Sequence, residues 1–115
     1  MAVYRNVAPG VKKNVGTSAE EITQGSVNKN NTYRMRVVNK TASAQTCTLW
    51  TAASSWTTGD PAGTDDVVVF PAAFIDPNSF VDVIVWLAGN RKVIAKAGGA
   101  NSIDLSWGGV EEDNT

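Results

Sequence analysis

The stretch that decides the fold is residues 32–51, TYRMRVVNKTASAQTCTLWT, in which two alternating patterns flank a short polar turn. Its first half alternates three apolar residues with Arg34 and Arg36, which is the period of a half-buried β-strand. Its second half alternates again, and its threonines and Trp50 suit a pleated surface. The pattern predicts two strands paired as a hairpin, with a core face made of Tyr33, Met35, Val37, Cys47 and Leu49.

The strongest single strand pattern lies further along the chain, at residues 79–88, SFVDVIVWLA. One face is purely apolar and is expected in the core, and it consists of Val81, Val83, Val85 and Leu87. The opposite face is mixed but unusually apolar, and it consists of Phe80, Asp82, Ile84 and Trp86. A Gly-Asn turn leads into residues 92–97, which predicts a second hairpin, and residues 102–107 predict an adjoining strand.

The remaining segments complete an all-β pattern. Residues 1–15 predict an N-terminal arm or edge strand, a short strand ends near Ile22, and residues 67–70 predict a buried strand. Residues 110–115 are acidic and polar and predict a flexible tail. About seven to eight short strands without an amphipathic helix predict an antiparallel β-sandwich at residues 16–109, of Ig-like or jelly-roll topology, with a small barrel as the alternative.

The composition excludes several classes of function. The chain has 115 residues, enough for one domain, and a formal charge of -1, which offers no footprint for nucleic acid. No apolar run reaches the roughly 20 residues of a membrane span, and the N-terminus lacks a signal core, so a cytoplasm-like site of synthesis and no membrane association are expected. With one Cys and no His, we expect no catalytic set, no metal site and no cofactor, and Cys47 as a small buried residue.

Three local patterns resemble functional motifs but have simpler explanations. The Asp65-Asp66 pair lacks the regularly spaced oxygen ligands of a calcium loop and is expected to be solvated. The glycosylation sequon that begins at Asn39 follows from turn composition. Asp82 would need a cleft and a partner to act as a catalytic acid, so an enzyme is the weakest of the interpretations.

The tryptophans carry most of the functional information. Trp107 is in phase with core residues, whereas Trp50 and Trp86 lie opposite the clearest core positions and Trp56 lies in the long loop 52–66. Loops could cover these rings, or an apolar patch that includes Ile94 could bind another subunit. The candidate interface residues are Arg34, Arg36, Trp50, Trp56, Phe80, Ile84, Trp86 and Ile94.

The order of these segments resembles a known group of proteins. The strand end RVVN at residues 36–39, a Thr/Ala/Ser turn and the strand TCTLW at residues 46–50 resemble small β-sandwich structural proteins of tailed bacteriophages. The sequences VIVWLAGN at 83–90 and KVIAKA at 92–97, with the closing IDLSW strand, are similar as well. After the glycine of that turn the group has an acidic residue, where this chain has Asn90-Arg91.

The resemblance implies a non-enzymatic virion part, assembled in the host cytoplasm, that contacts other virion proteins and forms a homo-oligomer. A capsid decoration or cement protein, bound to the major capsid protein, is the preferred role. A neck, collar or tail accessory, including fibre and baseplate components, is the near alternative. The alternative of another class is a carbohydrate- or receptor-binding module, in which Trp50, Trp56 and Trp86 would stack on sugar rings.

Overall fold

The computed structural model describes residues 3–58 and 66–113, and within these ranges it contains eight β-strands and no helix. The described residues therefore contain no helix that could cross a membrane. The strands are β1 (Val3–Lys12), β2 (Glu20–Gln24), β3 (Lys29–Asn39), β4 (Gln45–Ala52), β5 (Val67–Ile75), β6 (Ser79–Ala88), β7 (Lys92–Ala97) and β8 (Ile103–Asp113).

The strands form two four-stranded antiparallel sheets. The first sheet has the order β1-β8-β3-β6 and the second has the order β2-β7-β4-β5. The pairs β1–β8, β2–β7, β3–β6 and β4–β5 are nested, so the two halves of the chain form one long ribbon that is rolled up. This arrangement is the eight-stranded jelly roll. The prediction of an antiparallel β-sandwich is confirmed. Of the two predicted topologies, Ig-like and jelly-roll, the chain adopts the jelly roll.

The predicted strand pairing differs from the observed one. β3 and β4 do not form a hairpin, because residues 40–44 carry the chain from the first sheet to the second. The predicted hairpin of β6 with β7 is also absent, and β8 does not adjoin β7, for the same reason. Among these strands only β4 and β5 are both consecutive and paired. Alternation fixes which side chains face the core, but it does not fix which strand lies alongside.

The acidic C-terminal segment is part of the sandwich. Residues 110–113 continue β8 and pair with both β1 and β3, so the prediction of a flexible tail is wrong for them. Their charges are compensated by basic residues: Glu111 lies 3.7 Å from Arg5 and 3.4 Å from Lys29, and Asp113 lies 3.6 Å from Arg5. β1 is the edge strand that pairs with this segment, and residues 1–2 and 114–115 lie outside the described residues.

The core lies between the sheets, and the predicted core residues of β3 and β4 are all buried there. Val85 and Leu87 are buried, while Val81, Val83 and Trp107 are partly buried and pack against the same cluster. The prediction of a buried strand at residues 67–70 is wrong at Val67 and Val68, which are exposed. These two residues begin β5, which is the edge strand of the second sheet.

A fully buried amide closes one end of the sandwich. Asn39 Nδ2 donates to the carbonyl oxygens of Ser43 at 2.8 Å, Ile75 at 3.0 Å and Asp76 at 3.2 Å. Its Oδ1 accepts from the backbone N–H of Thr41 at 2.9 Å and from the Thr41 hydroxyl at 2.8 Å. Asn39 therefore ties the β3–β4 connection to the end of β5, and its amide is occupied within the fold rather than presented for glycosylation.

Candidate assembly interface

The outer face of the first sheet brings five of the eight predicted interface residues together at one edge. β6 is the last strand of this sheet, and its exposed positions lie directly opposite exposed positions of β3. The pairs, in order along the strands, are Val38–Phe80, Arg36–Asp82, Arg34–Ile84 and Thr32–Trp86. Arg34, Phe80, Ile84 and Trp86 are thus near one another, together with Arg36.

Three large apolar side chains of β6 are exposed. The exposed fraction is 63% for Trp86, 63% for Ile84 and 49% for Phe80. The predicted exposure of this face is therefore confirmed. A soluble monomer seldom presents so many large apolar side chains from one strand, and such a surface is typical of an interaction site.

The arginines hold this face in a defined conformation. Arg36 forms a two-pronged contact with Asp82, with Nε–Oδ1 at 2.9 Å and Nη2–Oδ2 at 3.1 Å. Its guanidinium also lies 4.0 Å from the centre of the Phe80 ring, a cation–π contact. Arg34 Nη2 is 3.4 Å from Asp82 Oδ2. The hydrogen bond from Arg36, helped by the charges of both arginines, lowers the pKa of Asp82 although partial desolvation opposes it.

That electrostatic arrangement favours a structural role for Asp82. A general acid that works near neutral pH needs a raised pKa, and the pKa of Asp82 moves the other way. Asp82 is instead an ionised group that pairs closely with Arg36 and lies 3.4 Å from the more exposed Arg34. The face therefore combines exposed apolar side chains with the ion pair of Arg36 and Asp82 and the further positive charge of Arg34.

Trp50, Trp56 and Ile94 lie elsewhere, and the prediction that they belong to an exposed interface is wrong. Trp50 and Ile94 are cross-strand neighbours on the outer face of the second sheet, where Trp50 is 6% exposed and Ile94 is fully buried. Residues 53–58 fold back over them and place Trp56, also 6% exposed, in the same cluster with Ala52. The chain covers this face itself, which the alternation in the sequence does not indicate.

Hydrogen bonds at Trp56 help to hold the returning segment in place. The backbone N–H of Trp56 donates to the carbonyl of Ala53 at 3.0 Å, and Lys92 Nζ donates to the backbone carbonyl of Trp56 at 2.9 Å. Lys92 also contacts Glu21 at 2.9 Å. The indole N–H groups of Trp50 and Trp56 have no hydrogen-bond acceptor among the described residues. These two rings act as packing groups and are shielded from a ligand in solution.

A second apolar feature lies beside β6. The start of β5 and the end of β6 border a cleft of about 340 Å³, which Thr51 and Arg91 also line. The cleft is lined mainly by Val67, Val68, Val69, Trp86 and Ala88. Phe74, further along β5, is 75% exposed. We call the surface formed by the exposed row of β6 and the exposed residues of β5 that line this cleft the β5/β6 side: Val67, Val68, Phe80, Ile84 and Trp86.

The titratable groups offer little chemistry away from this side. Burial raises the pKa of the Cys47 thiol to about 12, and a backbone hydrogen bond from Lys96 lowers it only in part. Within residues 3–58 and 66–113 no three His, Cys, Asp or Glu side chains are grouped so that they could hold a metal ion. Asp66 lies at the start of the second described range, and Asp65 falls outside the described residues.

Neither the fold nor the comparison with known proteins identifies a function for this chain. The jelly roll occurs in viral capsid domains, in lectins and in other proteins, so the fold alone is compatible with more than one function. No model of a known protein family matches this chain, and no curated protein matches it either.

Proposed function

We propose that the protein is a non-enzymatic structural protein of a tailed-bacteriophage virion, and that it is a capsid decoration or cement protein which binds neighbouring capsid subunits and stabilises the shell. The observation that carries this proposal is the exposed apolar row of β6, where Phe80, Ile84 and Trp86 project from the outermost strand of a rigid sheet.

The energetics of this row favour assembly. Complete burial of a large apolar side chain contributes roughly 1.5–3 kcal/mol. Since Phe80, Ile84 and Trp86 are about half to two-thirds exposed, covering each of them would contribute about 1–2 kcal/mol. The paired charges of Arg36 and Asp82 need no rearrangement when the face is covered. A modest contact of this size becomes effective when it is repeated over many copies, as on a capsid.

The fold and the sequence resemblance support the choice of a virion. Jelly rolls are a recurrent architecture of viral capsid proteins. A neck, collar or tail accessory would use the same surface and would differ in copy number. The carbohydrate-binding alternative loses support, because Trp50 and Trp56 are buried and leave Trp86 as the single exposed ring of the three.

The test is to locate the protein in intact particles and to rebind it to particles that lack it. Electron microscopy should find many copies spread over the shell, and rebinding should raise the temperature at which the shell opens. A single ring at the portal or tail would favour the neck or tail role, and absence from the particle would refute both.

A matched pair of variants connects particle binding to the β6 row. Trp86→Glu should abolish rebinding, whereas Val27→Glu should rebind as the unaltered protein does. Val27 is as exposed as Trp86 but lies in the turn between β2 and β3. Equal rebinding by the two variants would contradict the assignment of this surface.

A further inference from the structure

The four edge strands of the two sheets differ in how they are protected from pairing with another chain. Proteins block such edges with proline, bulges, charges or short length. β1 contains Pro9 and a register shift between Val7 and Gly10. β2 has five residues, two glutamates and a register shift. β5 contains Pro71 and two register shifts. Three of the four edges therefore carry such features.

β6 carries none of them. It pairs with β3 in an unbroken register from Asn30–Ala88 to Asn39–Ser79. Its ten residues include no proline, glycine, lysine or arginine. Its single charge, Asp82, is held by Arg36 of the neighbouring strand. A long, regular and apolar edge of this kind is a template for adding another strand.

We propose that β6 pairs antiparallel with β6 of a second copy, so that the two first sheets join into one eight-stranded sheet across a two-fold axis. This inference deepens the proposed function, because it names the partner of the same apolar row, and it rests on that function only for its role in a particle. A symmetric pair is the commonest form of homo-oligomer, and it uses the same patch on both copies.

The alternation of side chains restricts the register of this pairing. Outer-face residues must lie opposite outer-face residues, since a slip of one position would turn apolar side chains to the wrong face. If Asp82 lay opposite Asp82, two like charges would face each other, which is unfavourable. If Ile84 lay opposite Ile84, Phe80 would face only Ala88 and Asp82 would face Trp86.

The register centred on Val83 satisfies both requirements. It places Phe80 of each copy opposite Trp86 of the other and Asp82 opposite Ile84. Aromatic cross-strand pairs are among the most stabilising pairs in antiparallel sheets, and this register supplies two of them. It pairs residues 79–87 of the two copies, which allows about eight to ten backbone hydrogen bonds. No like charges of β6 face each other.

The second sheet contributes apolar surface on the same side. β5 contacts β6 across the sandwich, and its exposed Val67 and Val68 line the same cleft as Trp86. A copy bound along β6 would therefore also approach the mouth of the cleft beside Trp86. A second copy is favoured over an unrelated strand because β6 can pair with itself in a register that keeps the two Asp82 residues apart and pairs the aromatic residues.

Sedimentation velocity over a range of protein concentrations tests the pairing. The unaltered protein should sediment with twice the 12.2-kDa mass of the chain. Ile84→Lys should be monomeric over the same range, with an unchanged far-ultraviolet circular dichroism spectrum, and Trp86→Glu provides a second variant at the same edge. Val11→Lys should remain dimeric, since Val11 is equally exposed on β1, at the opposite edge of the same sheet.

A monomeric unaltered protein would overturn the inference, as would a dimer that persists in both β6 variants or is lost in Val11→Lys. These outcomes are separable from the proposed function. If the protein binds particles but is monomeric in solution, this inference fails and the function stands. If it is dimeric through β6 but binds no particle, the function fails and the inference stands.

Cysteine crosslinking tests the register. Residues directly opposite in an antiparallel pair have Cβ atoms about 4.5–5.5 Å apart, within reach of a short bis-maleimide. A mixture of Phe80→Cys and Trp86→Cys proteins should crosslink, whereas neither variant alone should do so. Failure of the mixture to crosslink, or crosslinking of either variant alone, would overturn the register. The buried Cys47 should not contribute, because its thiol is protonated.

Discussion

Replacing Trp56 by alanine tests whether the outer face of the second sheet is a packed cluster or a ligand site. Trp56 is the one buried residue of segment 53–58, and it covers Trp50 and Ile94. If the ring serves packing, its removal should destabilise the fold. If it serves sugar binding, its removal should leave stability unchanged and abolish binding.

The magnitude follows from the burial of the ring. Replacing a buried Phe or Trp by Ala costs about 3–5 kcal/mol in free energy of unfolding. Trp56 is only 6% exposed, but it lies on a loop segment that can relax around the vacated space. We therefore expect a loss of about 3 kcal/mol, at the lower end of that range. With a urea dependence of about 1.5 kcal/mol per molar, the unfolding midpoint should fall by about 2 M.

Equilibrium urea unfolding, followed by circular dichroism at one protein concentration, measures this loss. Phe74→Ala is the control, because Phe74 is an aromatic residue that is mostly exposed on β5, and its loss should cost less than about 0.5 kcal/mol. A loss below about 1 kcal/mol for Trp56→Ala would refute the packed cluster. Binding to a glycan array that disappears in such a stable variant would favour the carbohydrate-binding alternative.

Three further predictions concern buried or paired groups. Because burial raises the pKa of Cys47 to about 12, the folded protein at pH 8 should react with Ellman's reagent at least about 1,000-fold more slowly than the unfolded chain. The thiol loses its proton more easily in the unfolded chain, so the free energy of unfolding, measured with urea, should fall above about pH 9. Asn39→Ala should cost about 2–3 kcal/mol in chemical unfolding, whereas Asn39→Asp should be more stable near pH 4 than at pH 7, because an ionised carboxylate at this position would face three carbonyl oxygens. Burial alone would raise the pKa of Asp104, but the backbone N–H of Asn14, the Lys40 ammonium and the charge of Lys13 lower it. The ionised Asp104 therefore stabilises the folded state, and that stabilisation should be lost as the pH falls below about 4. Between pH 5 and pH 3, Asp104→Asn should lose less thermal stability than the unaltered protein.

The sequence predicted the strands and their faces well because both depend on local alternation. Residues 33–37 and 47–49 give the period directly, and their apolar members are buried. The same reasoning could not predict pairing. In a jelly roll most consecutive strands lie in different sheets, so a polar turn such as residues 40–44 has the composition of a hairpin turn while it crosses between layers.

The extension of β8 through residues 110–113 also could not be predicted from the local sequence pattern. Residues 110–113 have few apolar side chains, and a segment of that kind taken alone predicts a solvated tail. Its partners lie far away in the sequence: Arg5 on β1 and Lys29 on β3 supply the opposite charges, and both neighbouring strands supply the backbone hydrogen bonds. These long-range partners can be recognised only when the strand topology is known.

Trp50 and Trp86 were both predicted to be exposed, and they show why that prediction holds for one residue and fails for the other. Each lies on the face of its strand that points away from the core, and local alternation offers no reason to treat them differently. Their exposure depends on the path that the chain takes after each strand ends. Trp50 is near the end of β4, and the next segment returns over it and buries it under Trp56.

Trp86 is succeeded instead by a turn at Gly89, which has a positive φ of 57°, and the chain passes at once into the second sheet. No described segment returns over β6, and among the described residues its outer face is exposed and its free edge pairs with no other strand. The outer-face residues Phe80, Ile84 and Trp86 are therefore surplus to the packing of the monomer. Since the other edges of the sandwich are blocked and this one is not, the strand is best explained by a contact that forms between molecules.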